Sequence, residues 1–138
     1  MRLINEIIIH STATPKGMNA TAQDIDKWHK AKGYDCIGYH YVINRQGLIE
    51  KGRQDYLIGA HCKEHNNNTI GIAYVGGLNE HKQSADTRTQ AQKNALICLI
   101  RELLKIYPTI KKISGHKDYC NTACPSFDAT AEYKHLIS

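Results

Sequence analysis

The side chains best equipped for chemistry in this 138-residue chain are imidazoles and thiols, eight histidines and five cysteines. His10 ends the apolar run Ile7-Ile8-Ile9, His116 follows the short apolar stretch from Ile110 through Gly115, and Cys124 lies in the loop beyond. Two imidazole nitrogens and one thiolate make a three-ligand zinc set that leaves a fourth tetrahedral position for water, as catalytic zinc requires. Spacing alone selects this triple weakly. The same residues allow many other triples, and none has the paired spacing of a zinc finger. A histidine at a strand end is, moreover, commonly structural. No helix-borne His-Glu-x-x-His motif supplies a carboxylate base. His61 reads either as a proton relay or as a hydrogen-bonded cleft wall. His40 reads as a packing residue, and Cys120, four residues before Cys124, is a competing thiol. Cys36, Cys62 and Cys98 are expected to be free thiols, Cys98 serving as a small core hydrophobe. An odd number of cysteines argues against a fully paired disulfide framework.

The elements that must position these groups follow from pattern. Leu3 to His10 reads as a buried strand, a β-branched run too short for a helix. Ser11 to Ala20, with Pro15, Gly17 and Asn19, is a loop. Thr21 and Asp24 form a capping-box pattern that opens a helix carrying Ile25 and Trp28 and stopping near Gly33. Tyr39 to Asn44 is a strand whose alternation puts Tyr39 and Tyr41 on one face and His40 on the other, and Leu48 to Lys51 returns as a hairpin. Thr69 to Val75 is a third strand, closed by a turn at Gly76-Gly77. Thr89 and Gln92 make a second capping box, opening a long amphipathic helix that ends before Pro108. Ile110 to Ser114 is a short strand, and a last helix is capped near Ser126 or Asp128. Trp28 and the eight tyrosines are read as core rather than as a sugar-stacking platform.

The fold class is therefore α/β, a single domain over residues 1–138 with a mixed central sheet flanked by helices and the metal site at one sheet edge. A composition 41% hydrophobic and 22% charged fits a globular chain, neither disordered nor membrane-spanning. The net charge of +5 is spread along the chain, so no nucleic-acid stripe is indicated, and mild attraction to an anionic polymer is expected. The run Ile7 to Ile9 is too short for a signal-peptide core, so no export signal and no membrane insertion are expected. A monomer is the default.

The sequence resembles the amidase family shared by phage lysozymes of the N-acetylmuramoyl-L-alanine amidase type and the peptidoglycan recognition proteins. The matching blocks include Ile7-Ile8-Ile9-His10-Ser11-Thr12, Trp28-His29-Lys30, Gly38-Tyr39-His40-Tyr41, Gly59-Ala60-His61, Asn68-Thr69-Ile70-Gly71-Ile72, Val75-Gly76-Gly77, Gly115-His116 and Ala123-Cys124-Pro125-Ser126-Phe127-Asp128. The resemblance implies one Zn2+ per chain held by His10, His116 and Cys124, with Tyr39 beside the reacting carbonyl. It also implies Thr122 as a further catalytic group, at a position where phage members tend to carry lysine and catalytic recognition proteins threonine. His61 and Asn68 are the expected substrate-binding residues.

The implied activity is hydrolysis of the amide between N-acetylmuramic acid and L-alanine in peptidoglycan, a cell-wall-lytic reaction reached after lysis or by leaderless export. Two other functions stay open at this point: a module that binds peptidoglycan without cutting it, and a zinc peptidase acting within the stem peptide. Family members that only bind commonly lack the cysteine found here at 124.

Overall fold

Consecutive β-branched residues near the start form strand β1 (Glu6–Ser11), an interior strand of the main sheet. The computed structural model describes residues 2–137. A two-residue strand β2 (Thr14–Pro15) and helix α1 (Ala22–Ala31) follow, then the hairpin of β3 (Tyr41–Ile43) and β4 (Ile49–Lys51). An irregular stretch leads to β5 (Thr69–Tyr74), the short β6 (Gly77–Leu78), the long helix α2 (Gln90–Ile106), β7 (Lys112–Gly115) and α3 (Ala129–Tyr133). The main sheet has the order β4-β3-β5-β1-β7, parallel except for β4, which pairs antiparallel with β3. Strands β2 and β6 form a separate parallel pair. The architecture is the expected α/β domain with a mixed sheet flanked by helices.

Every residue of β1 and β5 is buried, as in parallel sheets covered on both faces. Ile7, Ile9, Ile70 and Ile72 face α2, where Leu96, Leu99, Ile100 and Leu103 complete the larger core with Tyr133 of α3. Alternation sends Glu6, Ile8 and His10 to the opposite face. There α1 covers only the β3 side, packing Ile25 against Ile37, Val42 and Val75. The rest of that face is covered by irregular chain. Both helix starts carry the expected capping boxes, Thr21 with Asp24 and Thr89 with Gln92. Arg88, almost wholly buried, ties the segment before α2 to α3 through Asp86 and Glu132 and lies over the Phe127 ring.

Several boundaries differ from the sequence reading. The first strand starts at Glu6 rather than Leu3, because its partners β5 and β7 begin opposite Glu6. The second is shorter, since Gly52 and Arg53 donate to the carbonyls of His40 and Tyr39 outside a regular ladder. Tyr39 therefore packs on the α1 side with Val42, while Tyr41 packs against the α2 core, so the two tyrosines do not share a face. The loop from Ser11 to Ala20 contains β2, which hydrophobic period could not reveal in two residues. Asp128, not Ser126, caps the last helix. Cys98 is exposed, because the buried stripe of α2 runs through residues 95, 96, 99, 100 and 103 and leaves it outside.

His40 is a structural group. Its Nδ1 accepts the Gly71 N–H at 3.1 Å, which makes Nε2 the protonated nitrogen, donating to the Leu57 carbonyl at 2.8 Å. Burial lowers its pKa from 6.5 to about 4. The folded protein thus binds fewer protons than the unfolded chain between those values, so stability is full above pH 6.5 and falls as the pH drops toward 4. The His40 contribution to that loss is on the order of 3 kcal/mol. Denaturant midpoints measured from pH 7 to 4.5 should show the fall, and His40→Gln should flatten it; an unchanged slope in the variant would show that other groups carry the dependence.

Candidate metal centre and active site

Strand β1 delivers His10 to the face that α1 leaves uncovered, the turn after β7 delivers His116, and the following loop folds Cys124 back over β1. The backbone N–H of Ser11 donates to the Cys124 sulfur at 3.1 Å. Cys124 Sγ stands 3.9 Å from His10 Nδ1, and the His10 and His116 rings are 4.6 Å apart. One donor atom from each of the three residues lies within 4.8 Å of the others. The separation of sulfur and nitrogen suits one ion with bonds of about 2.0 to 2.3 Å. The described chain thus contains a histidine–cysteine group able to hold a metal ion.

The histidine protonation states suit a cation as well. Burial, with His61 and His116 beside it, pushes the His10 pKa well below its ordinary value, so the ring is neutral and has a lone pair to give. Burial also lowers His116. Cys124 is pushed up by burial, with the Ser11 N–H acting the other way. With Nδ1 facing Cys124, the other nitrogen of His10 meets His61 Nδ1 at 2.8 Å. A consistent proton order follows: His10 Nε2–H donates to His61 Nδ1, His61 Nε2–H donates to Thr69 Oγ1 at 3.2 Å, and the Thr69 hydroxyl donates to the His65 carbonyl at 2.7 Å. Such a chain fixes both the tautomer and the orientation of His10. Gly71 makes room for it, since a Cβ there would meet the His61 ring at 2.6 Å.

Beside the group opens a cleft of about 270 Å³ whose lining includes Tyr39, His116, Thr122 and Cys124 together with Trp28, His29 and Lys32 of the α1 region. The Tyr39 ring lies 5.1 Å from His10. Burial, with Cys124 and Tyr34 nearby, raises the Tyr39 pKa, so its hydroxyl stays a donor at any working pH. Thr122 is exposed, and its hydroxyl oxygen accepts the Cys124 N–H at 3.3 Å.

The profile of the N-acetylmuramoyl-L-alanine amidase family matches residues 1–127. The chain belongs to this family. The endolysin of Enterobacteria phage T3 is 37% identical over 88% of this chain and 80% of its own length. An endolysin amidase, LysCS from Clostridium intestinale, superposes with a TM-score of 0.83 at 34% identity, over 98% of this chain and 84% of the other. The bumblebee recognition protein PGRP-SA does so at 0.80 with 26% identity, over 99% and 84%. The activity of the chain is accordingly that of a cell-wall-lytic amidase, cutting between N-acetylmuramic acid and L-alanine of peptidoglycan.

Not every residue expected at the amidase site is there. Asn68 precedes β5, at the strand end away from His10, where it hydrogen-bonds Asn5 and lines a separate cavity of about 570 Å³ with Glu6 and Thr109. A neighbour, Asn66, is the asparagine that supports the site, its side-chain oxygen accepting the N–H groups of His61 and Cys62 at 3.0 Å each. Trp28, expected in the core, is exposed and lines the cleft. Sequence reasoning also missed a second group, Cys62 with Cys120 and His116. Burial, with Cys120 beside it, pushes the Cys62 thiol up to about 12. Sequence spacing gave no hint of the pair, since long-range folding alone brings those sulfurs together.

Proposed function

We propose that the amidase works with one zinc ion held by His10, His116 and Cys124, that Tyr39 and Thr122 act on the scissile amide, and that residues 1–138 form one catalytic domain. The carrying observation is the convergence of one sulfur and two neutral imidazoles beside a cleft that Tyr39 also lines. When bound, zinc supplies Lewis-acid polarisation and activates water at neutral pH. The Tyr39 hydroxyl donates a hydrogen bond to the carbonyl oxygen as charge gathers there, and Thr122 offers a second donor from the cleft rim. Among the described residues no carboxylate lines the cleft, so the proton lost by the attacking water reaches the departing amine by way of these hydroxyls or solvent. His61 holds His10 in register. The exposed Trp28 indole offers the sugar a stacking face. A monomer is the proposed working unit. The endolysin relatives support action on the wall at lysis. Among the described residues no helix is long and apolar enough to cross a membrane.

The deciding experiment is digestion of purified peptidoglycan with and without a chelator, read by mass spectrometry. Stem peptides leaving with a free L-alanine amine and intact muramic acid, a reaction stopped by chelation and restored by zinc, are the expected result. Fragments cut between amino acids would establish the peptidase instead, and binding without release would establish a recognition module. For the positioning role, His61→Phe should leave His10 Nε2–H without its partner and weaken zinc affinity by about 10- to 100-fold in competition with a chromophoric chelator. Unaltered affinity would remove His61 from the centre.

A further inference from the structure

Two cavities meet at His116. Besides the active-site cleft, a second opening of about 450 Å³ is lined by His61, Cys62, Asn66, His116 and Cys120. Within it the Cys62 and Cys120 sulfurs and a His116 nitrogen all lie within 4.8 Å of one another. Both cysteines are on anchored turns: the Cys62 N–H donates to Asn66 Oδ1 at 3.0 Å, and the Cys120 N–H to the His116 carbonyl at 3.1 Å. Cys62 is buried and Cys120 half-buried, so the pair is reached from the cavity side.

We propose that Cys62, Cys120 and His116 form a second, thiolate-rich metal site, and that a soft divalent ion bound there draws His116 away from the amidase centre. Two thiolates against one make this the softer of the two sets, the one that thiophilic ions such as Cd2+, or Zn2+ in excess, select. Binding releases the two thiol protons to solvent, and no electron is transferred. A neutral imidazole has a single lone pair, so His116 completes one set at a time. Metal excess therefore turns the enzyme off. The switching half of the inference rests on His116 serving the amidase centre; the existence of the second site does not.

Cadmium separates the two halves. The Cys124→Ser chain is expected to bind one Cd2+ with the sulfur-to-metal charge-transfer absorbance of two thiolates, and further Cys62→Ser and Cys120→Ser substitutions should abolish that band. A Cys124→Ser chain that binds no cadmium, or a band that survives the added substitutions, overturns the site. The unaltered protein gives an independent reading should that variant fold poorly: Cd2+ should shield Cys120 from alkylation while exposed Cys98 stays reactive, and equal labelling of Cys120 with and without the ion is the adverse result. For the switch, zinc beyond one equivalent should lower amidase activity about tenfold or more, the scale on which losing support of a metal centre is felt. The Cys62→Ser/Cys120→Ser enzyme should resist it. Equal inhibition of both enzymes would rule out the sharing of His116, and an absence of amidase activity in every chain would leave the cadmium readings to decide the site alone.

Discussion

Cys124→Ser is expected to lose bound zinc and peptidoglycan hydrolysis together, with turnover down by at least about 10³-fold, as when one member of a group acting as a unit is removed. Serine keeps the shape and the hydrogen bond from the Ser11 N–H, 3.1 Å away in the native protein, but its hydroxyl stays neutral where a thiolate would bind. Two neutral imidazoles remain, a set with neither the charge nor the softness of the original. Because Cys124 sits in a loop and not in either hydrophobic core, the metal-free forms of variant and parent should denature at similar midpoints. Elemental analysis against the digestion assay checks the coupling. A Cys124→Ser protein that hydrolyses at the parental rate would dismiss the proposed ligand set outright.

Tyr39→Phe separates chemistry from metal retention. The ring lies 5.1 Å from His10 and packs with the α1 core, both of which phenylalanine preserves. Only the hydroxyl goes. Burial holds that hydroxyl protonated, so what it contributes is a donor for the oxygen that gains charge during attack. Loss of one such donor costs a factor of about 100 to 1,000 in rate. Zinc content should stay at one per chain while kcat drops by that factor and KM moves little. A variant with parental kcat would show that the donor lies elsewhere in the cleft, and Thr122→Val is the comparison that would then find it.

How far the sequence could be read depended on the range of the signal. The isoleucine run of β1, the stripe of α2 and the two capping boxes are local patterns, and each produced its element. The two-residue strands β2 and β6 hold too few residues to show a period. Tyr39 was put on the wrong face because alternation was carried back past Tyr41, where the ladder gives way to bonds from Gly52 and Arg53. The resemblance named His10, His116 and Cys124 where spacing alone could not, since His10 and Cys124, 3.9 Å apart, are 114 positions apart in the chain. Asn68 was expected at the cleft with the rest of the 66–68 loop, but it directly precedes a parallel strand and so lies at the end of the sheet opposite His10. The pair Cys62 and Cys120 had no local mark at all.

The order of the strands also bears on when the enzyme becomes dangerous to the cell that makes it. β1 emerges first from the ribosome, yet both its neighbours, β5 and β7, are made much later, and the sulfur facing His10 later still. Until residue 124 has cleared the exit tunnel, a growing or prematurely terminated polypeptide carries one member of the histidine–cysteine group without the rest. Assembly of non-local pairings of this kind is also slow compared with helix formation. With the proposed ligand set, a chain still holding residue 124 inside the ribosome has no way to close its metal centre.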